Sequence, residues 1–140
     1  MQEITTVVLD AMGGDHAPGE MVKGAIDAVN MRDDIKVILV GQEDVIKEEI
    51  GKYQYPEDKI GIVHAEEVIE TAEPPVNAIR KKKNSSIVVG MNMVKNKEAD
   101  AFVSAGSSGA ILVGGQVIDG RTRGTERPPL APIIPTESGV

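Results

Sequence analysis

Residues 4–18 read ITTVVLDAMGGDHAP, and the parsing of the whole chain follows from this stretch. The run from Ile4 to Leu9 is rich in β-branched residues and stops at Asp10, the pattern of a buried strand. Gly13 and Gly14 let the backbone turn with little steric cost, and Pro18 suits the first turn of a helix. Behind it Val22, Ala25, Ile26 and Val29 recur at helical spacing and make one apolar face. Strand, glycine loop and helix in that order open a parallel α/β unit.

The same alternation continues down the chain. KVILV at 36–40 with Gly41 reads as a second strand, and EDVIKEEI at 43–50 as a short helix turning Val45, Ile46 and Ile50 inward. IGIVHA at 60–65 is a third strand. Residues 75–83 and 85–97 read as two helical pieces joined at Asn84 and Ser85, the second with an apolar stripe of Ile87, Val88, Met91 and Val94. DAFVS at 100–104 is a fourth strand. A helix is expected from Ser107 to Asp119, with Ala110, Ile111, Val117 and Ile118 apolar and Gly114 and Gly115 allowing close packing. The final RPPLAPIIPTESGV holds four of the eight prolines and allows a short edge strand at most. No repeat or composition break divides the chain, so residues 1–140 read as a single α/β domain. The expected fold is a mainly parallel, Rossmann-like sheet with helices on both faces.

Composition narrows the functions open to such a fold. Of 140 residues 41% are apolar, enough for one core, yet only Tyr53, Tyr55 and Phe102 are aromatic. The core must be aliphatic, and base-stacking platforms are lacking. A net charge of −7 further disfavours nucleic acid as a partner. With no cysteine and two histidines, disulfides, thiolate metal sites and a cysteine nucleophile are excluded, and no metal or cofactor is expected. The absence of cysteine fits a reducing compartment. No apolar run reaches 18 residues and the N-terminus lacks a basic, then apolar, leader pattern, so a cytoplasmic protein is expected.

In open parallel sheets ligands bind beyond the carboxyl ends of the strands. That rule selects the loop from Asp10 to Pro18 and the loop from Ser104 to Gly109. In the first, Asp10 and His16 are the candidate catalytic residues and Gly13 and Gly14 candidate phosphate contacts; a histidine there can serve as acid, base or anion donor. The plainer reading is a helix start, with Asp15 or a neighbour as cap and His16 facing water. His64, at the end of the third strand, reads as packed or hydrogen-bonded. In the second loop Ser104, Gly106, Ser107, Ser108 and Gly109 place hydroxyls and N–H groups where a helix begins, which suits phosphate or carboxylate; Ser107 or Ser108 as a simple cap is the alternative. Neither GxxxxGK[ST], GxGxxG nor GxSxG is present. RKKKNSS at 80–86 is the one dense basic cluster, explicable as a solvated helix end or, through Lys83, Asn84 and Ser85, as further phosphate contacts. Arg121, Arg123 and Arg127 are a weaker version of that idea. Glu48-Glu49, Glu57-Asp58 and Glu66-Glu67 read as water-facing pairs without a metal-ligand pattern.

Taken together, VVLDAMGGDHAP at 7–18, VIETAEPPVNAIRKKKNSS at 68–86, ADAFVSAGSSGA at 99–110 and RPPLAPIIPT at 127–136 resemble the N-terminal portion of the PlsX family, the bacterial phosphate acyltransferases of phospholipid synthesis. The likeness runs in order along essentially the whole chain. One departure is Ser107-Ser108, where the family is associated with an asparagine-threonine pair. The resemblance implies an α/β/α fold akin to isopropylmalate dehydrogenase and phosphotransacetylase, and transfer of a fatty acyl group from acyl carrier protein to inorganic phosphate. It assigns His16 to the developing oxyanion or to phosphate, Asp10 to orienting the loop, and the glycines and serines to phosphate.

Family members are more than twice as long, so the resemblance also implies an incomplete sheet and an N-terminal part of a longer protein. Further catalytic residues, much of a homodimer contact, and the membrane-associating and carrier-protein-binding surfaces would be expected in the remainder. A non-catalytic phosphate- or nucleotide-binding module is the alternative from another class, and a dehydrogenase a weaker third, lacking a cofactor motif.

Overall fold

The structure is a computed structural model, and it describes residues 3–120 and 123. Strand β1 spans Thr5–Asp10, helix α1 Gly19–Met31, β2 Ile35–Gly41, α2 Glu43–Ile50 and β3 Ile60–His64. Two helices follow, α3 over Pro75–Lys81 and α4 over Ser86–Lys95, then β4 over Ala101–Val103 and α5 over Ser108–Gly114. The four strands form one sheet in the order β3-β2-β1-β4, all parallel. The α/β fold expected from the alternation is present.

Strand alternation decides which helix covers which face. Val37 and Leu39 of β2 meet Val22, Ala25, Ile26 and Val29 of α1 and Ile46 and Ile50 of α2 on one side. Val8 and Val40 point to the other side, against Met93 of α4 and Ala65 and Ala99. The four α1 residues expected to face inward are the four that are buried. A further cluster joins Ala78 and Ile79 of α3, Ile87, Val88 and Met91 of α4 and Ala110 of α5.

Several expectations need correction. In α4 it is Met93 that is buried and Val94 only partly so. The helix has the sheet on one side and α3 and α5 on the other, so its buried surface is wider than one stripe. Val45 is likewise only half-buried. The helix expected over Ser107–Asp119 changes character after Gly114 into a π-helical stretch, Gly115–Asp119, closed by the Gly120 N–H donating to the Gly115 carbonyl at 3.0 Å. Close packing holds at Gly114, where a Cβ would lie 2.6 Å from Met91 Sδ, but Gly115 faces open space and Val117 is 65% exposed. The proline-rich segment 127–140, Arg121 and Arg127 lie outside the described residues; Arg123 is exposed.

Candidate functional site

The chain order sets where a site can form. β1, β2 and β3 step in one direction across the sheet, and β4 then pairs on the opposite edge of β1. The carboxyl ends of β1 and β4 therefore flank a point where the strand order reverses, the place at which open α/β sheets bind ligands. Register finishes the arrangement: Leu9 lies opposite Val103, so Asp10 and Ser104, one residue further on, emerge side by side.

These two side chains join the loops. Ser104 Oγ donates to Asp10 Oδ2 at 2.8 Å and accepts the Gly106 N–H at 3.0 Å. Asp10 Oδ1 accepts the Met12 N–H at 3.0 Å. The Asp10 carboxylate is 2% exposed, and both of its oxygens are used by the protein. Gly13 sits where a Cβ would come within 2.6 Å of Asp10 Oδ2 and 2.9 Å of both Gly106 N and Ser104 Oγ. Gly14 has φ +95°, a region that favours glycine, and lies against Ala105.

With those inner groups paired, the outer ones remain open. The N–H groups of Gly13, Gly14, Asp15 and His16, and of Ser107, Ser108 and Gly109, have no hydrogen-bond partner among the described residues. Those of the first loop lie ahead of α1 and those of the second at the start of α5, where peptide dipoles favour an anion. His16 is exposed with no side-chain hydrogen bond, and Ser108 is also exposed. No lysine or arginine lies within either loop. Asp15 is exposed and does not cap α1, which has no side-chain cap.

Two of the candidate serines act as helix caps, the alternative that the sequence offers for Ser107. Ser107 caps α5 by accepting the Ala110 N–H at 3.2 Å and is 5% exposed. Ser85 caps α4 by accepting the Val88 N–H at 3.2 Å and is fully buried. Each hydroxyl thereby accepts one backbone N–H and keeps its own proton to donate, while the Gly106 N–H is taken by Ser104. Lys83 is exposed and lines a groove with Ile79, Arg80, Val88, Asn92, Val117 and Ile118. Among the described residues no hydrogen bond or ion pair links residues 80–86 to the two strand-end loops.

Asn84 is exposed, with its N–H on Glu67 Oε1 at 3.2 Å. Glu67 is thus a tie between the β3 loop and the start of α4, reinforced by a parallel bridge from Glu67 to Ser85, and not a plain solvent-facing carboxylate. Lys82 is held by Glu73 at 2.8 Å and by the Val68 carbonyl at 2.7 Å. That lysine hydrogen bond, and secondarily the Glu70 N–H, holds the Glu73 carboxyl below its ordinary range. His64 is hydrogen-bonded, its Nδ1 accepting the Glu43 N–H at the start of α2 at 3.2 Å. Among the described residues no three His, Asp or Glu side chains group as a metal site, and no helix is long and apolar enough to cross a membrane.

A buried carboxylate and a hydroxyl at a strand-order reversal, beneath N–H groups at two helix starts that have no partner among the described residues, define a parallel α/β protein with a polar strand end. Comparison with known proteins gives the family. A model described as "Fatty acid synthesis protein" matches residues 5–140, and the chain belongs to that family. It is 50% identical over 134 residues to a phosphate acyltransferase of Alkaliphilus oremlandii, covering 96% of this chain and 40% of that protein. Similar phosphate acyltransferases come from Clostridium novyi, 48% identical over 95% of this chain, and Clostridium beijerinckii, 50% identical over 95%, each again covered to 40%. The chain thus spans about 40% of the length of these curated relatives.

Proposed function

We propose that the chain forms the phosphate-holding part of a phosphate acyltransferase that moves a fatty acyl group from the thioester of acyl carrier protein to inorganic phosphate, giving an acyl phosphate for phospholipid synthesis. The observation carrying this reading is the Asp10–Ser104 tie, which brings two loops with open N–H groups together at the strand-order reversal. The relatives' name, phosphate acyltransferase, supports acyl transfer involving phosphate, and the family description supports a fatty acyl group; the carrier-protein thioester is part of the proposal.

The chemistry asks for what these loops offer. Phosphate is an anionic nucleophile at neutral pH, so no covalent enzyme nucleophile is required. A phosphate oxygen attacks the thioester carbonyl carbon, the carbonyl oxygen takes up the negative charge, and collapse of that tetrahedral species breaks the C–S bond and expels a thiolate, which takes up the proton that hydrogen phosphate loses on acylation. Donors that hold phosphate near the carbonyl and meet the developing oxyanion lower the barrier. In this reading the N–H groups of Gly13, Gly14, Ser108 and Gly109 and the Ser108 hydroxyl hold phosphate, and His16 donates to the oxyanion or to phosphate. Asp10 and Ser104 position the loops without touching substrate. Asn84, exposed ahead of α4, is the remaining candidate from the basic segment.

The rest of the relatives' length would complete the cleft, so low turnover is proposed for residues 1–140 alone. A cytoplasmic location, homodimer formation and membrane contact through that remaining length belong to the same proposal. Titration calorimetry with phosphate, acyl phosphate and nucleotides tests it: the first two should bind, and His16→Ala should weaken them. Binding of nucleotide alone would replace it with a non-catalytic module.

A further inference from the structure

The basic segment that the strand-end site leaves unused has its own surroundings. Of the four consecutive cations from Arg80 to Lys83, Lys82 is consumed by Glu73 and the Val68 carbonyl. Arg80, Lys81 and Lys83 are exposed and form no ion pair among the described residues. Arg80 and Lys83 edge one groove of about 390 Å³ whose floor is Ile79, Val88 and Ile118, with Val117 and Asn92 beside them and, among the described residues, no carboxylate in the lining. Val117 is 65% exposed, and Val76, one turn before Arg80 on α3, is 46% exposed. On a chain of net charge −7, this is a local reversal of sign around an apolar strip.

Cations left without partners at the rim, with apolar side chains left uncovered between them, complement one kind of surface: acidic, with an apolar residue at its centre. Charged rims steer association and the small apolar core supplies the short-range contact. Of the carboxylates bonded to this segment, Glu73 is paired with Lys82, and Glu67, on the Asn84 N–H, keeps its charge against the three exposed cations Arg80, Lys81 and Lys83. We propose that the Arg80–Lys83 rim and the Ile79–Val88–Ile118 groove form a docking surface for an acidic protein. Resting on the function proposed above, that protein is the carrier of the acyl thioester. The carrier would then be held by α3 and α4 while its acyl group is presented elsewhere, which separates carrier recognition from phosphate recognition.

The experiment is binding of acyl carrier protein to this chain, read by fluorescence anisotropy across ionic strength. Two double reversals carry the same change in net charge: R80E/K83E in the rim, and K23E/K95E at exposed lysines elsewhere. Rim reversal should weaken binding by roughly tenfold to a hundredfold and flatten its salt dependence. The control reversal should leave binding near that of the unmodified chain, and circular dichroism checks that both variants fold. Equal loss in both variants, or no carrier binding by the unmodified chain, overturns the proposal. So does rim-dependent binding of anionic phospholipid vesicles in place of carrier, which would make the patch a membrane contact. Phosphate calorimetry on the unmodified chain reads the strand-end site separately, so the two readings fail independently.

Discussion

Replacing Gly13 with alanine tests the strand-end arrangement at its tightest point. The added methyl would lie 2.6 Å from Asp10 Oδ2 and 2.9 Å from both Ser104 Oγ and Gly106 N. Neither side-chain atom is the tip of a flexible chain that can swing aside. Asp10 is buried and doubly hydrogen-bonded, Ser104 is bonded to both its neighbours, and Gly106 N is backbone. The β1 loop must lift away from the β4 loop, or the Asp10–Ser104 hydrogen bond must break.

Overpacking a tight site costs about 1–3 kcal/mol, and losing a hydrogen bond to a charged group about 1.5–3 kcal/mol. A loss of about 2–5 kcal/mol is therefore expected, since one response partly relieves the other. For a chain of this size about 3 °C accompanies each kcal/mol, so Tm should fall by about 6–15 °C. Urea unfolding at fixed pH should show a lower midpoint with an unchanged slope, and phosphate affinity should fall with it. Gly24→Ala is the matched control: Gly24 lies inside α1 with nothing within 4 Å of its Cβ position. There the same substitution should add about 0.5–1 kcal/mol. A Gly13→Ala variant with Tm within about 1 °C of the parent and unchanged phosphate binding would refute the tie between the loops.

Ser104→Ala leaves Asp10 Oδ2 and the Gly106 N–H without their partner and should cost about 1–3 kcal/mol by urea unfolding. Gly90→Ala places a methyl against the Phe102 ring and 3.3 Å from Val8 Cγ1, pushing α4 off β1; thermal unfolding should show a loss of about 1–3 kcal/mol. Because Lys82 holds the Glu73 carboxyl below its ordinary range, that contribution to stability is present above the unfolded carboxylate range and disappears as pH falls through the lower folded value. Lys82→Ala should remove it, so urea midpoints compared between neutral and acid pH should converge for variant and parent at the acid end. His16→Ala should leave Tm unchanged, since the side chain is exposed and unbonded, while weakening phosphate binding.

Local pattern was sufficient for the opening unit. The β-branched run, the glycine pair, Pro18 and the four-residue stripe each constrain the same few turns of chain, and the buried α1 face follows residue for residue. The rule that ligands meet strand ends likewise selects, from sequence, the two loops that the Asp10–Ser104 hydrogen bond joins. What sequence does not disclose is that Asp10 bonds to a hydroxyl 94 residues away, because that requires β4 to lie beside β1. The strand-order reversal is the signal that would have found it. The same limit explains α4: whether Met93 or Val94 is buried depends on what packs against its second side. For Lys83 the sequence does not disclose which neighbours the α3–α4 turn gives it; the structure sets it beside Ile79, Val88 and Ile118.

The aspartate at the tip of β1 is intelligible once its partners are counted. An ionised carboxylate is acceptor-only, and here one oxygen takes a backbone N–H and the other a hydroxyl. The single proton of Ser104 is given to Asp10, so its oxygen is free to accept the Gly106 N–H, and the chain of donors runs in one direction from β4 into β1. An amide at residue 10 can keep its Oδ1 on the Met12 N–H while its Nδ2 donates to the second lone pair of Ser104 Oγ, so the contact can survive with its donor reversed. The arrangement also has an electrostatic consequence, since a negative charge held beneath the loops repels any anion arriving above them. Neither loop carries a lysine or arginine, so the repulsion must be met by the open N–H groups, the two helix starts and His16. Anion affinity at this site should therefore rise when Asp10 is made neutral without loss of its geometry, and fall when the N–H groups are turned away. Phosphate titration of Asp10→Asn, with Tm as the measure of retained geometry, separates the positioning role of the carboxylate from its charge.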